Sequence, residues 1–260
     1  MFEINFDYFD HNFCESTIYS SNQHPEYFNA YSSLFISFIG IMGLIKPHNY
    51  LTLSMTSACL FINGLFSFFY HYYNSIGWGL LDRMSMVILA LNATYLFIND
   101  VIRVYPRYKN LYHVLIASYY SLLLTIGGLH QEELFNTLFG VFLISLSGFM
   151  YLLTSMFYVH PDVRTLGWRG IKCIVLSGIF WIGTEKLCKQ VFFIKYLFGH
   201  VWWHVLVSLG GYYISLVPKY LNMARNMKEM VIAIEYDRVG LPYLESVSYT
   251  HLTLPTKRIV

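Results

Sequence analysis

Two histidines four residues apart, His200 and His204, stand in a long apolar stretch near the end of the chain. A helix turns once per 3.6 residues, so these two imidazoles share one helix face. An imidazole at membrane depth is costly unless it is used, and a metal ion would use both. The pair therefore predicts half of a metal site, with a third ligand supplied by another segment.

His71 is the candidate third ligand, and two more polar residues accompany it. Ser67 lies one helical turn before His71, and Asp82 lies eleven residues after it. Three neutral imidazoles and a water make the open zinc site that catalytic centres use. Zinc lowers the pKa of its water to about 7, and a carboxylate such as Asp82 can pass the proton to a leaving amine. Ser67 would donate to a developing oxyanion or orient His71.

The elements that must position these residues are membrane helices. Of the 260 residues, 56% are hydrophobic and only 12% are charged, whereas soluble domains carry roughly 25% charged residues. The apolar residues fall into seven runs near the ~20 residues that cross a bilayer. We predict an all-α, polytopic seven-transmembrane helix bundle with spans at about 29–45, 50–71, 83–100, 111–129, 135–158, 167–187 and 198–218.

The basic residues predict the orientation of this bundle. No Lys or Arg precedes Lys46, whereas acidic residues do. With the N-terminus outside, 13 of the 17 Lys and Arg residues lie on the inner side and four on the outer side. Because cytoplasmic loops accumulate Lys and Arg, we predict a lumenal or extracellular N-terminus and a cytosolic C-terminus. Ser67, His71, Asp82 and the histidine pair then share one depth, near the outer leaflet.

Four parts follow from this arrangement. Residues 1–28 form an outer N-terminal segment, 29–218 the seven-span catalytic domain, and 219–247 a cytosolic tail. Residues 248–260 resemble translated adapter or read-through sequence, and we expect them not to continue the membrane domain. We expect a multi-pass protein of the endoplasmic reticulum, Golgi or plasma membrane. The small net charge of +2 argues against nucleic acid as a partner.

The polar motifs resemble those of the alkaline ceramidases, within a larger group of seven-span metal hydrolases. The central motifs are Ser67-Phe-Phe-Tyr-His71, Leu81-Asp82 and His200-Val-Trp-Trp-His204. The resemblance runs from about Cys14 to about Val217. Its N-terminal pieces, which favour the ceramidase branch, are Cys14-Glu15 and Glu26-Tyr-Phe-Asn29 with Ser32.

The resemblance implies a zinc amidase inside the membrane that cleaves ceramide into a sphingoid base and a fatty acid. The histidines His71, His200 and His204 would hold zinc. Asp82 would be the general acid and base, and Ser67 would assist the carbonyl oxygen or the metal ligands. The substrate cavity would lie between the helices and open to the bilayer. No obligate protein partner is implied.

The resemblance also implies a calcium site near the N-terminus. The matching positions are Asn12, Phe13 through its carbonyl, Glu15, Thr17 and Glu26. Asn12 replaces a family aspartate and Thr17 an asparagine, so oxygen ligands remain but one negative charge is missing.

Other positions depart from the family pattern as well. Arg83 and Ser85 follow Asp82 where the family has Glu and Pro, and Thr184 stands at an acidic family position with Glu185 beside it. These changes would alter substrate preference or lower activity.

A disulfide bond between Cys14 and Cys188 is a further implication of the resemblance. Both cysteines are outside in the predicted orientation, where disulfides persist. Cys59 and Cys173 fall in or near spans, and we expect them to be buried, unpaired thiols.

Other functions remain open. A related seven-span hydrolase would act on an ester lipid or a lipid-anchored glycan. A non-catalytic relative, such as an adiponectin-receptor-like protein, would keep the metal ligands, but its N-terminus is expected inside, which the basic residues oppose. An ordinary receptor or transporter would carry these histidines incidentally, which their shared depth disfavours.

Overall fold

The computed structural model describes residues 6, 13–19, 25–46, 51–128, 132–156, 159–226 and 230–248. Within these ranges the chain forms seven helices long and apolar enough to cross a membrane. The all-α seven-span prediction is therefore confirmed. The helices are α1 (Tyr27–Leu44), α2 (Leu51–Tyr73), α3 (Ile76–Val104), α4 (Lys109–Gly128), α5 (Glu132–Met156), α6 (Pro161–Leu187) and α7 (Gly199–Asn226).

Three helix ends differ from the predicted spans. Helix α3 begins at Ile76 and not at 83, so Asp82 lies in its second turn and is buried within the bundle. Helix α6 begins at Pro161, because proline suits the first helical position, where its missing N–H is not needed. Helix α7 continues to Asn226 with Pro218 in its interior, so the span does not end at 218.

Glycines at the helix crossings let two pairs of helices in the bundle approach each other closely. In α6 and α7, Gly170 and Gly210 face each other, and a Cβ on Gly170 would lie 2.8 Å from the Gly210 carbonyl oxygen. A Cβ on Gly64 of α2 would likewise meet the backbone of Ser37 in α1. Small residues let membrane helices approach backbone to backbone. Helix α7 packs against α1, α3 and α6 as well as α2, and so forms the centre of the bundle.

A β-hairpin follows α7 in the region predicted to be a cytosolic tail. Strands β1 (Met230–Tyr236) and β2 (Pro242–Ser248) pair antiparallel, and Tyr236 lies opposite Pro242. The hairpin is fastened to the bundle, because the Tyr212 hydroxyl donates to the Pro242 carbonyl at 2.8 Å and Leu244 is buried in the core. Lys46, just after α1, pairs with Asp237 in the turn. The hairpin therefore closes the end of the bundle opposite the start of α1.

The glycine contact between α6 and α7 yields a stability prediction. Gly170→Ala should lower the stability of the protein by about 1–3 kcal/mol, because the added methyl group overpacks the helix crossing. Gly178 lies on the same helix with open space around its Cα, so Gly178→Ala is the matched control. Gly178→Ala should leave the stability unchanged or raise it by up to about 1 kcal/mol, because alanine favours the helix more than glycine does. Thermal unfolding in detergent measures both, and equal melting temperatures would refute the close contact.

Candidate metal centre

The structure brings the three predicted histidines together at one end of the bundle. His71 lies in the last turn of α2, and His200 and His204 lie in the first two turns of α7. Their ring centroids are 4.7–5.3 Å apart, and one nitrogen from each falls within 4.8 Å of the others. All three side chains are buried. Among the described residues they form a group of His, Cys, Asp or Glu side chains that could hold a metal ion.

The Nδ1 atom of each imidazole contacts a polar side chain that lies outside the histidine cluster. His71 Nδ1 lies 2.9 Å from Glu26 Oε2, and His200 Nδ1 lies 3.3 Å from Glu185 Oε1. His204 Nδ1 lies 2.8 Å from the hydroxyl of Ser32. That hydroxyl donates its own proton to the Asn29 carbonyl, so it accepts from the ring.

These outer partners determine which nitrogen of each ring carries the proton. An ionised carboxylate only accepts hydrogen bonds, and so does a hydroxyl whose proton is already used. Each ring therefore carries its proton on Nδ1 and keeps a lone pair on Nε2. Three neutral imidazoles with converging lone pairs are the ligand set of a catalytic zinc site. The residues present fit a zinc ion.

Asp82 and Ser67 join in a second polar network beside the histidines. The Asn63 side chain donates to Asp82 Oδ1 at 3.1 Å and to the Ser85 hydroxyl at 2.9 Å. Ser67 hydrogen-bonds the Asp82 carboxyl and accepts from Ser33 at 3.1 Å. The carboxyl is thus fixed by residues of α2 and α3, and Ser67 orients Asp82, a role not predicted from the sequence.

Glu15 anchors the N-terminal segment to the start of α1. A 3₁₀ turn, Cys14–Ile18, holds Glu15 so that its carboxyl accepts from the free N–H groups of Phe28 and Asn29 at the start of α1. A negative charge there is favoured by the helix dipole. Burial raises the pKa of the Glu15 carboxyl, and these two backbone hydrogen bonds oppose that rise. The segment is therefore anchored to the first helix of the bundle.

Because the segment is anchored in this way, the ring of Phe13 lies over the histidine cluster. Its ring lies 4.9 Å from the ring of His71 and 4.7 Å from that of His200. Its backbone N–H donates to Glu26 Oε1 at 2.9 Å, so the same carboxylate holds Phe13 and His71. Phe13 excludes water from the outer side of the histidines.

Several residues predicted to bind calcium form hydrogen bonds with other groups of the protein. Glu26 accepts from Phe13, Ser16, Asn29 and His71, which fills the roughly four acceptor sites of a carboxylate. The Thr17 hydroxyl donates to the Cys14 carbonyl, and the Phe13 carbonyl accepts from Ser16 N–H. Asn12 lies outside the described residues. In this arrangement the Glu26 carboxylate has no acceptor site left for calcium, and the calcium site stays a prediction.

The predicted disulfide is not formed. Cys14 and Cys188 are free and buried, and their thiols are hydrogen-bonded to each other. Burial raises the pKa of both thiols, so each stays protonated at neutral pH. The two side chains are nevertheless neighbours, as the resemblance implied. Cys59 and Cys173 are free and only partly buried.

A long apolar cavity starts at the polar residues and runs through the bundle. Its lining includes Ser67, His71, Asp82, His200 and His204 at one end. Leu53, on the same helix as His71, also lines it, and their separation of 18 residues corresponds to roughly 27 Å of helix. The remaining walls are mostly apolar side chains of α1, α3, α5 and α7. Such a cavity suits a long hydrocarbon chain with one polar group at the histidine end.

Some residues of the site were missed in the sequence. Asn63 precedes Ser67 by one helical turn on the same face of an apolar helix, a spacing that could have pointed to Asp82. Ser85 departs from the family pattern, yet its hydroxyl joins the Asn63 network and donates to the Asp82 carbonyl at 2.8 Å. Ser32 was noted only as part of the family resemblance, and its contact with His204 was not predicted because the two residues are 172 positions apart.

Two comparisons with known proteins show what this chain is similar to. A family model described as Ceramidase matches residues 10–245. Among curated proteins, the chain is similar to alkaline ceramidase 1 of Mus musculus, with 22% identity over 257 residues that cover 89% of this chain and 89% of the relative. The resemblance found in the motifs is thereby confirmed.

The histidine cluster yields a metal prediction. Purified protein should carry about one zinc per chain by elemental analysis. His71→Ala and His204→Ala should lose it, because two imidazoles bind zinc far more weakly than three. His113→Ala is the matched control, since His113 is exposed on α4. Wild-type protein without zinc, or an equal loss in the control, would contradict the assignment.

Proposed function

The chain belongs to the ceramidase family, and from that premise we propose that it is an intramembrane, zinc-dependent amidohydrolase that cleaves ceramide. The products are a sphingoid base and a fatty acid. One observation carries the proposal: the three histidines, Asp82 and Ser67 all line one end of a single apolar cavity. A hydrolytic group at the end of a lipid-shaped cavity is what cleavage of a ceramide amide requires.

Zinc, when bound by His71, His200 and His204, supplies a Lewis acid that polarises a carbonyl and lowers the pKa of water to about 7. The other contributions come from the chain. Water attacks the amide carbonyl carbon, and Asp82 accepts the proton that this water releases. Asp82 then gives the proton to the amide nitrogen, the carbon–nitrogen bond breaks, and the sphingoid amine leaves.

The network around Asp82 supports this role. Asn63 donates to one carboxyl oxygen, which fixes the direction of the other. The Ser67 hydroxyl hydrogen-bonds Asp82 in the resting arrangement. We propose that Ser67 turns to the carbonyl oxygen as negative charge develops there, since Asp82 no longer needs this bond once it is protonated.

The membrane setting completes the proposal. Ceramide would enter from the bilayer and place a hydrocarbon chain along the cavity towards Leu53. The excess of basic residues on the inner side supports an N-terminus, and hence a metal centre, on the lumenal or extracellular side. A compartment such as the endoplasmic reticulum, Golgi or plasma membrane fits this orientation.

Replacing the proposed general acid and base tests the chemistry. Asp82→Asn should lower kcat for ceramide by about 10²–10⁴-fold, because the amide cannot carry the proton. Zinc content should not change, since Asp82 is not a ligand. Asp162→Asn is the matched control, because that side chain is 75% exposed on α6.

The readout is fatty acid and sphingoid base released from a panel of ceramides, beside ester lipids of the same chain length. Wild-type turnover in Asp82→Asn would reject the assignment of this residue. Cleavage of the ester lipids alone would replace the amidase proposal with that of a related lipid hydrolase.

Narrowing the cavity tests where the lipid chain lies. Ala90 is buried and lines the cavity on α3, so Ala90→Phe should lower kcat/KM for long-chain ceramides by about tenfold, or about 1.4 kcal/mol. Ala117→Phe is the control, since Ala117 is exposed on α4. Short-chain ceramides should be affected less, and an equal effect on both lengths would contradict this placement.

A further inference from the structure

We propose that Glu185, at the end of α6, is a positioning residue that orients His200 and at the same time docks the N-terminal segment. The metal half of this inference rests on the proposed zinc centre. The resemblance described above gives Glu185 no role and notes only that it follows Thr184.

The carboxylate of Glu185 divides its two oxygens between two distant parts of the chain. Oε2 accepts from the backbone N–H of Cys14 at 2.8 Å. Oε1 faces His200 Nδ1 at 3.3 Å. The His200 side chain is 8% exposed and that of Glu185 is 21% exposed, so this pair is largely shielded from water.

The start of α7 makes this contact possible. Gly199 precedes His200, and a Cβ there would clash with the Thr184 side chain and with the Phe180 carbonyl. The missing side chain lets the first turn of α7 lie directly against the last turns of α6. His200 thereby reaches the carboxylate of the residue that follows Thr184.

Like Glu185, Glu26 contacts one backbone N–H of the N-terminal segment and Nδ1 of one histidine. It accepts from the N–H of Phe13 and from Nδ1 of His71. Consecutive N–H groups of the segment, those of Phe13 and Cys14, are thus bound by two carboxylates, each of which also holds one histidine. Docking of the segment and orientation of two metal ligands therefore depend on the same groups.

For His200 to bind a metal through Nε2, its Nδ1–H needs a hydrogen-bond acceptor at the position that Glu185 occupies. A carboxylate accepts from Nδ1–H and leaves the Nε2 lone pair for a metal. A glutamine has one acceptor oxygen and one donor NH₂ group. If that oxygen keeps the Cys14 N–H, the NH₂ group faces His200 and favours the opposite tautomer, with its proton on Nε2.

Glu185→Gln therefore separates the two roles. Its zinc affinity, measured by competition with a chelator, should fall about 10–100-fold. Alkylation of Cys14 by a maleimide, followed by mass spectrometry, reports docking of the segment and should remain as slow as in wild type. Glu185→Ala should lose zinc affinity and also expose Cys14, whereas Glu185→Asp should recover part of the affinity. Glu133→Gln is the matched control, because Glu133 is an exposed acid that pairs only with Lys186 among the described contacts.

The outcomes separate this inference from the proposed function. A Glu185→Gln variant with zinc affinity within about twofold of wild type would overturn the role at His200. Slow alkylation of Cys14 in Glu185→Ala would overturn the docking role. In both cases wild-type protein still binds zinc and cleaves ceramide. Wild-type protein that binds no zinc would instead overturn the proposed function, and the metal half of this inference with it.

Discussion

Burial of three imidazoles in an apolar bundle is the constraint on which the rest of this structure depends. A buried polar ring that lacks partners costs several kcal/mol, roughly 2–7 for a neutral group. Hydrogen bonds at Nδ1 offset part of this cost. The partners of His71, His200 and His204 are Glu26, Glu185 and Ser32, respectively. Because all three partners accept from Nδ1, each ring keeps a lone pair on Nε2, and one ring nitrogen of each histidine lies within 4.8 Å of the others. A cation bound among these nitrogens would satisfy every ring, which is why the cluster fits a metal better than a purely structural role.

The same constraint explains why so many separate segments meet at one end of the bundle. The histidines come from α2 and α7, their partners from α1, α6 and the residue before α1, and Asp82 from α3. Close glycine contacts, such as Gly170 with Gly210, bring the helix backbones near enough for short side chains to reach one another. The N-terminal segment closes this assembly, and the aromatic ring of Phe13 covers the histidines. Beyond this polar end the cavity is apolar, so polar chemistry and hydrocarbon binding are separated along its length.

Hydrophobic runs predicted the seven helices, because a bilayer imposes a length and a composition that a single sequence records. The histidine pair, and the depth that it shares with Ser67 and His71 in the seven-span topology, likewise predicted the metal cluster. The start of α3 was placed too late, since Asp82 and Arg83 suggest a water-facing helix end although both are buried. The hairpin after α7 was missed because its short strands depend on packing against residues such as Tyr212. The partners of the histidines depend on contacts over as many as 172 residues, which no local pattern records.

The most direct test of the account is X-ray absorption at the zinc edge of the purified protein. Three histidines sharing one ion predict nitrogen neighbours at about 2.0–2.1 Å, with the outer-shell scattering of three imidazoles and one further oxygen. Sulfur neighbours at about 2.3 Å would place the ion on cysteines instead. Scattering from fewer than three imidazoles would equally show that His71 does not share an ion with His200 and His204, and the proposed chemistry would fail.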